Sequence, residues 1–360
     1  MHRNLRVATR IQRGEKLAPK IVISSRINRP GINSALRDMG FNVVEIPIDE
    51  PNNGFHHFNE HEIAQYWYDA DAAMVGLRDF VTAEVMQASP RLQCLCGPVI
   101  GTEMIDVPAA TKLGIAVGFG AVMENFVGVA EACAMLSIEL LKHLPQKWNA
   151  VRTGGFRVDN QGSMVKDHTI GLIGLGNIGQ ATARRLQGFG CKLLAYDPYQ
   201  KPEVAATVNT TLVDMDTLLR ESDVISIMVV LTDETTHMIG ERELALMKPG
   251  AYLINTARGS CVDEAALIKA LDGHMGGAAV DVWEQEPTRA DNPLRNHPKV
   301  IPSGHNVGHS TELYEALTPA GVENLSRGVS GRLPLYLRNP DVKPAWRERL
   351  TRLGITPRED

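Results

Sequence analysis

The stretch Thr169-Ile170-Gly171-Leu172-Ile173-Gly174-Leu175-Gly176-Asn177-Ile178-Gly179 decides how this chain is read. A short apolar run feeds directly into a G-x-G-x-x-G set, and Ala181 to Leu186 continues at helical spacing. Glycines alone are weak evidence, since glycine supplies 32 of the 360 residues. The flanking strand and helix give each glycine a task. Gly174 permits a tight turn, Gly176 lets the backbone approach a pyrophosphate, and Gly179 lets helix and strand pack closely. A helix that starts at Asn177 and Ile178 then offers free N–H groups and a partial positive charge to the phosphates. The next strand-like segment, residues 192–196, runs into Asp197. A carboxylate at that point accepts hydrogen bonds from both ribose hydroxyls and repels a 2′-phosphate. Pro198 follows with no arginine close behind, so the expected cofactor is NAD rather than NADP.

The same alternation spreads outward from this motif. Strand-like segments at 223–229, 251–255 and 278–282 are separated by helix-like segments at 178–189, 215–220, 241–247 and 264–271, with Gly190 and Gly250 where helix C-caps belong. That is the βαβ pattern of a doubly wound sheet. Upstream, residues 20–24, 41–46, 72–76 and 92–95 read as strands, and 32–39 and 82–88 as helices. A long helix is expected over 125–144. The polar, Gly-containing stretch 146–167 reads as the connection between two lobes, and a further helix as spanning 313–329.

Composition narrows the class. The chain is 44% hydrophobic and 22% charged with a net charge of −5, an ordinary globular balance. Its length suits roughly two domains of about 150–200 residues. No long basic run implies a nucleic-acid partner, and no apolar stretch approaches the ~18 residues of a membrane span. The five cysteines read as buried free thiols in a reducing compartment, and Cys94-x-Cys96 lacks metal or redox spacing. Arg3, Arg6, Arg10 and Arg13 read as a solvated extension, and a cytoplasmic location is expected.

Downstream of the glycine motif the resemblance becomes definite. Ile254-Asn255-Thr256-Ala257-Arg258-Gly259, Val262-Asp263, Gly277-Ala278-Ala279-Val280-Asp281-Val282 and Glu286-Pro287 resemble the signature of the D-isomer-specific 2-hydroxyacid dehydrogenases. This resemblance implies an α/β fold with a Rossmann cofactor domain (residues 121–307, including an interdomain helix) inserted in a discontinuous flavodoxin-like substrate domain (1–120 and 308–360). It also implies a homodimer acting on a small 2-hydroxy or 2-keto acid. Arg258, Glu286 and His305 take the catalytic positions. Hydride transfer to a 2-keto acid generates an alkoxide, so a proton must arrive with the hydride, and a histidine suits this near neutral pH. Arg258 would clamp the carboxylate and polarise the carbonyl, and Glu286 would hold the imidazole and favour its charged form. Thr232, Thr256, Ala257 and Asp281 join the implied cofactor contacts. Val75, Gly76 and Arg78 resemble a loop whose backbone amides hold the carboxylate, with Gly101 on a second substrate loop.

Several positions depart from the family pattern. Asp79 stands where a small hydroxyl residue is common, Gly120 where Asn is usual, Val122-Met123 in place of Pro-Gly, and Gly304 in place of Pro. Met228 and Val230 replace a His and a Pro, while Thr232 and Thr235 fit. His309 is a candidate second-site contact or an exposed loop residue. Two other readings share this architecture: an NAD(H)-sensing protein like the C-terminal-binding-protein corepressors, and a formate or phosphonate dehydrogenase. Formate dehydrogenases pair the active His with Gln, which Glu286 argues against.

Overall fold

A computed structural model describes residues 18–27, 31–49, 54–157 and 161–358. The arginine-bearing N-terminal stretch lies outside the described residues. The chain divides into two compact units, Met1–Asn125 with Thr311–Asp360, and Phe126–Ser310.

The first unit is built on a five-stranded parallel sheet of β1 (Lys20–Ser24), β2 (Asn42–Ile46), β3 (Ala72–Met74), β4 (Cys94–Cys96) and β5 (Ala116–Gly118), in the order β2-β1-β3-β4-β5. Its central strands are buried throughout, as expected for a parallel sheet covered on both faces. Helix Thr311–Val329 lies on one face, where glycines let it sit close. A Cβ on Gly328 would stand 2.4 Å from Cys94 Cβ, and one on Gly321 would stand 2.8 Å from Met74 Cε. The C-terminal tail carries a helix, Lys343–Arg352. Trp346 and Leu350 are buried there, and the Arg349 guanidinium donates to the carbonyls of Ser89, Pro90, Leu92 and Leu113.

The second unit carries a seven-stranded parallel sheet of β6 (Thr169–Ile173), β7 (Lys192–Tyr196), β8 (Thr211–Leu212), β9 (Val224–Ile227), β10 (Tyr252–Asn255), β11 (Gly277–Val280) and β12 (Val300–Pro302). Their order is β8-β7-β6-β9-β10-β11-β12. The chain winds outward from β6 through β7 and β8, then returns to β6's other side at β9. The C-terminal end of β6 is therefore the switch point where an open α/β sheet takes its ligand, and Gly174 follows it at once. This is the expected α/β fold, with two edge strands, β8 and β12, that periodicity alone did not reveal.

Two expectations are corrected. The long helix runs over Met123–Leu141 and stops before His143, whose φ of 52° breaks it. The stretch 146–167 is not a connection between lobes. It lies wholly in the second unit and contains most of a further helix, Leu144–Arg152, opened by Pro145 in its first turn.

Candidate active site

The glycine turn has the geometry its residues demand. Gly174 has φ +97°, and a Cβ there would lie 2.6 Å from the Met228 carbonyl oxygen. A Cβ on Gly179 would lie 2.3 Å from the Gly174 oxygen, so helix Asn177–Leu186 meets the turn at backbone contact. Around a Cβ on Gly176 nothing stands within 4 Å, which leaves the cradle a pyrophosphate needs. Asn177 and Ile178 open that helix.

Asp197 is half-buried at the end of β7. Its Oδ2 accepts the Leu175 N–H at 2.8 Å and its Oδ1 the Tyr199 N–H at 3.0 Å. Both oxygens keep a lone pair for a ribose hydroxyl. Pro198 is exposed between them. On the far side of β6, Thr232 and Thr235 close a reciprocal turn: Thr232 N–H donates to Thr235 Oγ1 at 2.7 Å, and Thr235 N–H to Thr232 Oγ1 at 3.3 Å. Tyr199 and Glu234 join these two loops by a hydrogen bond of 3.1 Å, with the phenol donating. The carboxylate beside it raises the phenol pKa of Tyr199. Sequence reading missed this pair, because residues 35 apart carry no local sign of meeting.

The residues after β10 form a tight platform. Asn255 is buried; its Oδ1 accepts the Ala257 N–H and its Nδ2 donates to the Arg258 carbonyl at 2.9 Å. Arg258 donates from Nη1 to the Ala257 carbonyl at 2.6 Å. Gly259 is forced by contact, since its Cβ would stand 1.9 Å from the Trp283 carbonyl carbon. Thr256 Oγ1 lies 3.2 Å from Cys133 Sγ, and burial pushes that thiol's pKa up.

Glu286 and His305 are brought together: Glu286 Oε2 lies 2.8 Å from His305 Nδ1, and Glu286 Oε1 accepts the Trp283 N–H at 3.1 Å. The imidazole is about one-third exposed and the carboxylate mostly buried. His305 has φ 58°, a left-handed conformation that costs a non-glycine residue about 1–3 kcal/mol unless its surroundings hold it. Asp281 does the holding. Its carbonyl accepts the His305 N–H at 2.7 Å, and its Oδ1 accepts the Ser303 hydroxyl at 2.7 Å and the N–H groups of Asn306 and Val307 at 3.0 and 3.2 Å. Asp281 thus organises the loop that aims the histidine, a contribution the motif did not announce. Gly304 has nothing within 4 Å of a Cβ, so the usual Pro is not excluded by contact. Gly308 is excluded from being larger: a Cβ there would stand 2.7 Å from Val129 Cγ2 and 3.0 Å from its backbone, on helix Met123–Leu141. His309 is exposed, its N–H donating to the Asn306 carbonyl.

In the first unit, Val75 and Gly76 are buried at the end of β3, Leu77 is exposed and Arg78 half-buried. Gly101 is buried beside Gly97. Gly120 has no room for the usual Asn, since a Cβ would stand 2.6 Å from Leu317 Cδ2 and 2.7 Å from the Pro98 oxygen. Among the described residues there is no cluster of His, Cys, Asp or Glu able to hold a metal ion, and no helix long and apolar enough to cross a membrane.

Comparison with known proteins gives this arrangement its class. Residues 134–306 match the D-isomer specific 2-hydroxyacid dehydrogenase, NAD binding domain. A glyoxylate reductase from Thermofilum pendens is 37% identical over 333 residues, which covers 90% of this chain and 95% of that protein. Among solved structures, a glyoxylate reductase from Paecilomyes thermophila superposes with a TM-score of 0.79 at 26% identity, covering 90% of this chain and 99% of the other. D-lactate dehydrogenase from Aquifex aeolicus, complexed with NAD and lactic acid, gives 0.74 at 28% identity over 86% and 96%. The chain is an oxidoreductase of the α/β dinucleotide-binding class. It belongs to the D-isomer specific 2-hydroxyacid dehydrogenase family, and its cofactor is NAD.

Proposed function

We propose that this protein reduces a small 2-keto acid, glyoxylate or hydroxypyruvate, to the D-2-hydroxy acid with NADH, and runs the reverse oxidation with NAD. The observation that carries the reading is the 2.8 Å contact between His305 Nδ1 and Glu286, on a loop held by Asp281 in the same unit as the Asn255–Arg258 platform. The glyoxylate reductase relatives support a small substrate. Glu286, rather than a Gln, beside the histidine argues against formate as substrate.

The nicotinamide, when bound, supplies or takes the hydride. Arg258 anchors the substrate carboxylate through its planar fork and withdraws charge from the carbonyl oxygen. With Nδ1 committed to Glu286, His305 keeps Nε2 for the reacting oxygen. It gives a proton there during reduction and takes one back during oxidation. Gly174–Gly179 with Asp197 would hold the pyrophosphate and ribose of the cofactor, and Thr256, Ala257 and Asp281 would add further contacts to it. In the first unit the Val75 N–H goes to the Cys96 carbonyl and the Gly76 N–H to Asp79, so the backbone donors this reading keeps for the carboxylate are the amides of Leu77 and Arg78, with Gly101 on the second substrate loop. The insertion of a cofactor domain, residues 121–307, into a substrate domain is part of this reading. So is a homodimer, supported by the exposed apolar side chains Trp148, Val151 and Phe156 on and after helix Leu144–Arg152.

The test is a 2-keto acid panel with NADH and the variants His305→Gln and His309→Gln. His305→Gln should cut turnover by about 10²–10⁴-fold while NADH still binds; His309→Gln should stay active. Loss of activity in the His309 variant with survival of the His305 variant reverses the assignment. Tight NADH binding with no oxidation across the panel means an NAD(H) sensor.

A further inference from the structure

The turn read above as the carboxylate loop already holds an acid of its own chain. Asp79 is completely buried. Its Oδ2 accepts the Gly76 N–H at 2.7 Å and the Ser24 hydroxyl at 2.5 Å. Its own N–H returns to the Gly76 carbonyl at 3.3 Å, so Gly76-Leu77-Arg78-Asp79 is a closed turn. Ser24 ends β1 and the turn follows β3, its neighbour in the sheet, so Asp79 laces two adjacent strand ends together. Arg26 completes the group. Its Nη1 lies 3.1 Å from Asp79 Oδ1 and donates to the Gly54 carbonyl at 2.8 Å. Its Nη2 is buried with no acceptor among the described residues. The packing is tight: a Cβ on Gly76 would stand 2.7 Å from Asp79 Oδ2 and 3.2 Å from Arg26 Cβ.

This arrangement divides the amides of the turn. The Gly76 N–H is consumed by Asp79. Among the described residues, the N–H groups of Leu77 and Arg78, at the outer end of the turn, have no acceptor. A buried carboxylate beneath them would repel an incoming anion, and a guanidinium against it cancels that repulsion.

We propose that Asp79 and Arg26 form a positioning pair for substrate binding: Asp79 locks the turn and takes the Gly76 amide, Arg26 neutralises Asp79, and the substrate carboxylate is left to the amides of Leu77 and Arg78. This inference rests on the 2-keto acid reading. A structural pair and an electrostatic one differ in the sign of their mutational effects. Arg26→Met leaves a bare carboxylate under the turn. It should raise the KM for glyoxylate and the dissociation constant of oxamate, an unreactive carboxylate probe, by about tenfold. Asp79→Asn keeps an acceptor for Gly76 and Ser24 but leaves the guanidinium unopposed, so oxamate should bind about threefold tighter. The double variant should return to within about threefold of the wild type. The KM for NADH should stay put in all three.

The experiment measures oxamate affinity by titration of the NADH complex, glyoxylate and NADH kinetics, and thermal melting for each protein. Opposite shifts for the two single variants, cancelling in the double, bear the pairing out. Oxamate weakening in both single variants, or no change in either, overturns it. If Arg26→Met does not fold, the Asp79→Asn shift decides alone, and weaker oxamate binding overturns the pairing. A wild-type protein active on glyoxylate with the wrong signs defeats this inference only; a wild type that reduces no 2-keto acid removes the functional reading and the inference with it.

Discussion

Asp197 governs the site through a charged side chain, Gly259 through the absence of one. The Asp197 carboxylate meets backbone N–H groups from Leu175 and Tyr199, which fixes it beside the glycine turn. A 2′-phosphate brought to that spot faces a fixed negative charge, and Asp197→Ala removes it. Discrimination between NADH and NADPH, read as the ratio of their dissociation constants, should fall by about tenfold or more; an unchanged ratio sinks the ribose assignment. Gly259 acts by being small. A Cβ 1.9 Å from the Trp283 carbonyl carbon requires the Arg258 turn and the Trp283–Glu286 turn to separate. Gly259→Ala should therefore lower kcat by about 100-fold, since displacements of an ångström cost that much in an oriented site. Retained turnover in a well-folded Gly259→Ala protein would show that the two turns need not touch. The sequence made Asp197 legible, because a strand, its spacing from the glycines and an acid are all local. The reason for Gly259 was not legible: its neighbour Trp283 is distant along the chain.

Among the elements, the C-terminal helix Lys343–Arg352 is one that the sequence reading did not assign. Its charged, proline-containing sequence suggests an edge. Yet Arg349 gives hydrogen bonds to four carbonyls and buries beside Trp346. Desolvation lowers its pKa below the usual guanidinium value, which still leaves it charged at any working pH. Arg349→Met would strand those carbonyls and should cost about 2–4 kcal/mol, read as a lower midpoint in thermal or urea unfolding. A shift no larger than that of an exposed control such as Arg352→Met would show that water replaces the guanidinium. Hydrophobic periodicity could have found the buried Trp346 and Leu350 but not Arg349, a cation that is buried because hydrogen bonds to distant carbonyls satisfy it.

For the whole molecule, association is the property most open to test. Trp148 and Val151 sit exposed on helix Leu144–Arg152, a helix with no buried residue, and Phe156 just beyond it is exposed as well. Exposed apolar side chains on a helix that buries none are the candidate interaction surface of the proposed dimer. Light scattering after size exclusion should give about twice the 39.4 kDa chain mass. Trp148→Asp combined with Val151→Asp should shift the protein to monomer; a monomeric wild type, or a dimer that ignores both changes, places the interface elsewhere.

What the sequence determined by itself is the set of features whose causes are local. The strand into Gly174, the helix from Asn177, the acid after β7 and the order of Arg258, Glu286 and His305 are readable because glycine sterics, strand and helix periods and motif spacing act over a few residues. Tertiary structure decided the features whose causes are distant. It turned His305 into the left-handed region and set Asp281 to hold it there. It placed Asp79 under the turn with Ser24 and Arg26, more than fifty positions away. It also left no space for a side chain at Gly120. A buried charge or a forbidden Cβ is defined by what packs against it, and that is settled only when the sheets and helices close.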